Sequence, residues 1–228
     1  MYQIEILHLL YLLLPVTVVG YVYYRWVGHA TEIAYASLRM ILQLLLIGYL
    51  LSYLFGTENS WMTLLIVIVM ITAASMITLR NISIKDMITY RNIFLSILIG
   101  GSINLILVLY FVLDIHSLAE PRTIIPIAGM LYANCMNAVS LVAERFEKER
   151  RTEEYTTARA IAFRASLIPQ INSFLAVGLV SLPGMMTGQI LSGVDPVIAV
   201  RYQIMVMFMV LGSSGISTIL YLWQKRDR

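Results

Sequence analysis

The sequence predicts an all-α, polytopic membrane protein, and three observations carry that prediction: the apolar share of the chain, the length of its apolar runs and the alternation of its basic residues. Hydrophobic residues occupy 59% of 228 positions and charged ones 13%, a balance outside the range of soluble domains of this size. A helix needs about 20 apolar residues to cross a ~30 Å hydrocarbon layer, and loose backbone is excluded there. About seven runs qualify: 4–24, 34–55, 61–79, 93–113, 123–143, 168–191 and 197–223. Lys and Arg collect at Arg80, Lys85 and Arg91, between Arg145 and Arg164, and at Lys225, Arg226 and Arg228. By contrast Gly56 to Ser60 has none, Asp114 to Arg122 has only Arg122, and only Arg201 lies near Asp195. The positive-inside rule makes the basic sides cytoplasmic, which places the N-terminus outside and the C-terminus in the cytoplasm.

The start, Met1-Tyr2-Gln3-Ile4-Glu5, has no basic n-region and no small-residue cleavage site after the first apolar run, so that run is expected to remain as a span. The second run carries Arg39, an ionisable residue inside an apolar run. An intramembrane charge is costly enough to suggest a function, but Arg39 lies near the cytoplasmic end, where its side chain can snorkel to headgroups or tie to Gln43 on the same face. The fifth run holds Cys135, the one cysteine, which can form no intrachain disulfide.

That fifth span is expected to continue into water as the highly charged helix Glu144 to Glu154, with Glu144/Lys148 and Glu147/Arg151 spaced for ion pairs. The whole cytoplasmic excursion covers 144–167. Tyr155, Ala158, Ile161 and Ala162 share one helical face with Arg159 off it, a pattern that suits either a partner or the protein's own neighbouring helices. In the sixth run Pro183 and Gly184 are expected to break any helix entering from Ile171. Asp195-Pro196 reads as an N-cap followed by proline at the first helical position, starting the last span after an external turn from Ser192 to Asp195. With no repeat and short connections elsewhere, 1–228 reads as a single transmembrane domain.

The sequence also limits the chemistry. No glycine-rich loop with its lysine is present to cradle a nucleotide phosphate, so the chain is not its own ATPase. No Asp, Glu or His lies well inside a span, which argues against proton- or sodium-coupled carriage and for an external energy source. Gly212-Ser213-Ser214-Gly215 matches a serine-protease pattern, but His8, His29 and His116 all precede it at span ends or in loops, leaving the serines without a base; no enzyme activity is expected. No cluster has metal-ligand spacing, so metal ligands stay unassigned, and no cofactor or nucleic-acid partner is expected. Gly184 and Gly188 form a small-xxx-small pair with two readings. One is close helix packing; the other is a Pro183-Gly184 hinge beside a path lined by Met185, Met186, Gln189, Asn134 and Asn137. Thioethers prefer soft ions, so the methionines by themselves are weak evidence for iron chelation.

The octet Leu182-Pro183-Gly184-Met185-Met186-Thr187-Gly188-Gln189, followed by Asp195-Pro196 and Arg201-Tyr202-Gln203, resembles the signature of the FetB-like permeases. Arg39 with Gln43 and Leu44, Ile125 to Met130 leading to Asn134 and Asn137, and Ala165 to Pro169 extend the resemblance over most of the chain. Such proteins are membrane subunits of ATP-binding-cassette exporters. The resemblance implies a homodimer in the bacterial inner membrane, energised by a separate ATP-using subunit and exporting iron or another metal. Plant relatives suggest an organic or nucleotide-sugar cargo as the alternative. The surface on which the ATPase would act is the cytoplasmic excursion, with Glu153, Glu154, Tyr155, Arg159 and Arg164. The excursion lacks the glycine-containing turn of relatives, since no glycine occurs between Met130 and Gly178. A seven-span receptor or scaffold is the rival class, and it leaves the octet unexplained.

Overall fold

The computed structural model describes residues 5–29, 31–54, 60–83 and 85–226. The expected N-terminal start Met1 to Ile4, most of the Gly56 to Ser60 connection and the terminal Arg228 lie outside the described residues. Eight α-helices, α1 to α8, account for most of the described chain. Six of the helical segments are long and apolar enough to cross a membrane: Leu7–Val27, Thr31–Ser52, Ser60–Arg80, Met87–Val112, Pro121–Glu149 and Pro196–Trp223. The chain is therefore an all-α, multi-pass membrane protein.

The chain divides into two compact units, Met1–Thr57 and Glu58–Arg228. The first holds α1 (Leu13–Val27), preceded by a 3-10 segment, and α2 (Thr31–Leu54). Gly28 ends α1 in the left-handed region at φ 86°, which glycine adopts without penalty. No described residue of α1 is buried. A helix this apolar with no buried side chain suits lipid.

The second unit contains α3 (Ser60–Arg80), α4 (Met87–Ile106), α5 (Pro121–Glu149), α6 (Tyr155–Ala176), α7 (Gly184–Leu191) and α8 (Pro196–Trp223). The Asp86 carboxylate caps α4 by accepting from Thr89 N–H at 2.7 Å. Beyond Ile106 the helix widens into a π-helical segment, Leu107–Val112. Helix α5 lies at the centre, packed against α3, α4, α6 and α8, with Ala128, Leu131, Cys135, Val139 and Val142 fully enclosed.

The tightest seam joins α4 to α8. A methyl added at Gly100 would lie 2.7 Å from the Ser217 backbone nitrogen, and one added at Gly212 would lie 2.6 Å from Asn104 Oδ1. Small residues let these backbones approach so closely, and helix association in lipid depends on such packing. Added methyls at Gly184 and Gly188 meet nothing within 4 Å, so neither glycine is a close helix contact among the described residues.

Two expectations change. The run 168–191 is not one helix, and its break falls earlier than Pro183. Helix α6 ends at Ala176, whose carbonyl accepts from the N–H groups of Leu179, Val180 and Ser181. Gly178 then turns the chain at φ 83°. Pro183 instead precedes α7 as its N-cap, extended at φ −62° and ψ 146°. Likewise the charged helix ends at Glu149, not Glu154. Its ion pair is Arg145–Glu149 at 2.9 Å, and Glu147 accepts from the Ser83 N–H at 3.2 Å. The last span begins as read: Asp195 Oδ1 accepts from the N–H groups of Val197 and Ile198 at 2.8 and 3.3 Å, and Pro196 follows.

Candidate functional site

Helices α6 and α8 run antiparallel, tied at three levels. Tyr155 Oη donates to the Leu222 carbonyl at 2.9 Å, Gln170 Nε2 meets Ser214 Oγ at 3.5 Å, and the rings of Phe174 and Phe208 meet edge-on at 6.0 Å. Between and beside these ties the seam opens into two clefts that share Phe174 and Met207.

The larger cleft, about 320 Å³, is walled by Leu182, Met186, Met207 and Phe208 and is apolar except for Gln203. The smaller, about 220 Å³, presents Asn134, Gln170 and Ser173. Among the described residues no charged one lines either cleft. The side-chain carbonyl oxygens of Gln170 and Gln203 are buried and have no hydrogen-bond partner among the described residues, and the same holds for Gln189 Oε1 on α7. A buried acceptor left unpaired costs about 1–3 kcal/mol, so these three enclosed oxygens are costly features of the packing around α6, α7 and α8.

The residues expected to line a path divide accordingly. Met186 and Asn134 line the clefts. Asn134 also donates from Nδ2 to the Met130 carbonyl at 2.7 Å. Gln189 lines neither cleft, and its side-chain oxygen is enclosed without a partner among the described residues. Met185 packs partly against the core, whereas Asn137 is exposed on α5. Pro183 and Gly184 lie at the joint entering α7. Sequence reasoning missed Gln170 and the role of Gln203. The available signal was two glutamines inside otherwise apolar runs, but nothing local shows that they meet one seam.

At the opposite end of the seam a third cleft, about 330 Å³, lies among Arg159, Phe163, Leu222 and Trp223. The Arg159 guanidinium sits over the Tyr155 ring, 5.4 Å from its centre, which holds the charge at the cleft edge. Glu153, Glu154 and Arg164 are exposed on the same excursion, whose turn is closed by Arg150 donating to the Glu153 carbonyl at 3.0 Å. On α2, Arg39 and Gln43 are both exposed, one turn apart. Ser213 and Ser214, the serines of the protease-like pattern, are fully enclosed in α8 packing. Among the described residues no three His, Cys, Asp or Glu side chains converge as a metal site.

Six helical segments long and apolar enough to cross a membrane, with uncharged clefts along the α6–α8 seam, define a multi-pass membrane protein. The chain belongs to the Uncharacterised protein family (UPF0014), whose model matches residues 5–228. It is 37% identical over 207 residues to the probable iron export permease protein FetB of Escherichia coli, covering 83% of this chain and 78% of that protein. A UPF0014 membrane protein of Synechocystis sp. is 36% identical over 204 residues, 82% of this chain and 79% of its own. The Arabidopsis thaliana protein ALUMINUM SENSITIVE 3 is 32% identical over 207 residues, 82% and 73% of the two chains. No solved structure matches the chain significantly.

Proposed function

We propose that the chain is the membrane-spanning permease subunit of an ATP-binding-cassette exporter. It works as a homodimer in the bacterial inner membrane, with two copies of a separate ATP-hydrolysing subunit and with iron or another metal as cargo. The observation that carries this reading is the pair of uncharged clefts on the α6–α8 seam, lined by Met186 and Gln203 and by Asn134 and Gln170, in a chain 37% identical to a probable iron export permease. The sequence has no phosphate-cradling loop, so the energy comes from a partner.

In this reading nucleotide-driven closure of the ATPases pushes on the turn from Arg150 to Glu154 and on the first turns of α6. The cleft beside Arg159 receives part of the partner. Because Tyr155 and Phe174 tie α6 to α8 at its two ends, the push is transmitted along the seam to the clefts and to the joint at Pro183-Gly184. Mass spectrometry of whatever co-purifies with the chain in mild detergent from its native membrane tests this. A stoichiometric P-loop ATPase is the expected result. Its reproducible absence from folded, intact protein removes the exporter reading and leaves a stand-alone receptor or carrier.

A further inference from the structure

We infer that the joint between α6 and α7, Val177 to Pro183, is the surface on which a second copy of the chain packs inside the membrane, and that this second copy closes the larger α6–α8 cleft. The interface rests on the homodimer of the permease reading above and gives that dimer its contact.

The depth of the joint comes first. No charged residue occurs between Arg164 and Asp195. From Arg164 to its end at Ala176, α6 climbs at most about 18 Å at 1.5 Å per residue, through a hydrocarbon layer of ~30 Å. Tilt only shortens that climb. Helix α8 gives the same level from the other side. Phe208, the edge-on partner of Phe174 less than one turn before the joint, lies about 10 Å along α8 from Arg201, and no charged residue follows until Lys225. The joint therefore lies within the hydrocarbon, in the half away from Arg164, and the eight residues of α7 cover about the remaining 12 Å.

At that depth the backbone is irregular. Gly178 stands at φ 83°, Val177 and Ser181 form an isolated bridge, and the N–H groups of Leu182, Gly184, Met185 and Met186 have no acceptor among the described residues. Irregular backbone is tolerated inside a bilayer only where protein covers it or water wets it. The side chains decide between these. Leu179 is 91% and Val180 84% exposed, with Leu175 and Leu182 exposed beside them, an apolar surface that suits protein contact and not a wetted wall. An ATP-hydrolysing subunit acts from the cytoplasmic side and does not reach this depth, so the membrane-embedded partner that the reading supplies is the second copy. A two-fold axis at the joint places the same patch on both copies, with Leu179 and Val180 near their counterparts. The larger cleft shares this wall: Val177, Gly178 and Leu182 line it together with Phe174, Met186 and Phe208. A copy seated on the joint therefore roofs the cleft and shields its contents from lipid.

The test uses the full chain with its co-purifying subunits in native membranes. Cys135 is enclosed, so the unaltered chain supplies the background. Leu179→Cys and Val180→Cys are oxidised with copper phenanthroline and covalent dimers are read on non-reducing gels, with Leu65→Cys, exposed on α3, as the control for random collision. The expected result is a dimer yield at position 179 or 180 at least fivefold above that at 65. Val180→Arg is expected to lower the dimer share at least tenfold in native mass spectrometry while the chain keeps its helical circular dichroism. If the arginine variant does not fold, the cysteine variants decide alone. Yields at 179 and 180 no higher than at 65 overturn the inference, as does an unchanged dimer share in folded Val180→Arg. Labelling of Leu179→Cys by a membrane-impermeant maleimide in intact spheroplasts also overturns it, because the joint then lines water. The permease reading is judged separately: a P-loop ATPase co-purifying with a dimer that does not cross-link at the joint keeps that reading and removes the interface, and cross-linking without the ATPase does the reverse.

Discussion

The Tyr155 hydroxyl donates to the Leu222 carbonyl at 2.9 Å, fixing the first turn of α6 to the last turn of α8. Tyr155 also meets Phe146 edge-on at 5.9 Å, so a single side chain links the end of α5, the start of α6 and the end of α8. If the excursion carries force from an ATPase, this contact carries it inward. Tyr155→Phe removes the hydrogen bond and keeps the ring, at a cost of about 0.5–1.5 kcal/mol. The variant is expected to fold and to hydrolyse ATP with its partner while losing a substantial share of transport per ATP. Transport and ATPase activity measured on the same proteoliposomes check it; an unchanged ratio removes Tyr155 from the coupling path.

Gly100 and Gly188 offer a direct contrast. An alanine methyl at Gly100 presses on the Ser217 backbone, which cannot move aside as a flexible side chain would, whereas one at Gly188 meets open space. Gly100→Ala is expected to destabilise the α4–α8 seam by about 1–3 kcal/mol. Gly188→Ala is expected to leave thermal stability unchanged or slightly raised through its better helix propensity. Unfolding curves in the same detergent decide between this assignment and one that places the essential close packing at the Gly184/Gly188 pair.

The joint between α6 and α7 has two separable parts. Gly178 holds φ 83°, so Gly178→Ala forces a non-glycine residue into the left-handed region at about 1–2 kcal/mol and should disturb the turn itself. Gly184→Ala adds a methyl that touches nothing and should leave the fold intact. If Pro183-Gly184 is the moving hinge, Gly184→Ala still uncouples ATP use from transport by stiffening the entry to α7. Full transport by this well-folded variant sinks the hinge.

Much of this architecture is legible in the sequence because apolar length and capping are local properties. Asp195-Pro196 starts α8 as its side-chain chemistry dictates, and the runs at 61–79, 93–113 and 123–143 became α3, α4 and α5. The break in the sixth run was legible as a break but not in its position. Proline suggested the stop, yet Pro183 is compatible with a helix start, and the chain had already turned at Gly178. The candidate site was half legible. Met186, Asn134 and Gln189 stand in or near the resemblance motifs, but Gln170 and Gln203 reach one seam only because α6 and α8 pack antiparallel. That pairing depends on tertiary contacts between Phe174 and Phe208 and between Tyr155 and Leu222, which no local pattern encodes.

Loss of the α8 cap should be felt at the clefts. Asp195 Oδ1 satisfies two N–H groups at the start of the helix, and Gln203 lies two turns further on. Asp195→Ala is expected to cost about 1 kcal/mol and to fray the first turn, weakening ligand binding more than it lowers the midpoint of global unfolding. Asp195→Asn, which retains a capping oxygen, should restore most of both. Equal behaviour of the two variants shows that the cap does not order the larger cleft.

The proposed orientation can be read with the protein's own single thiol. Cys135 is wholly enclosed within α5, so the unaltered chain should resist a membrane-impermeant maleimide and serve as the background without any change to its cysteine. Thr152 in the turn after α5 and Ser192 in the turn after α7 are both exposed, and a cysteine at either should label readily once it faces the reagent. With basic residues concentrated beside Thr152 and scarce beside Ser192, the positive-inside rule places Thr152 in the cytoplasm and Ser192 outside. Ser192→Cys is therefore expected to label in intact spheroplasts, and Thr152→Cys only after the membrane is opened. The reverse pattern inverts the orientation and puts the Arg159 cleft on the side away from ATP, where no nucleotide-driven partner can reach it.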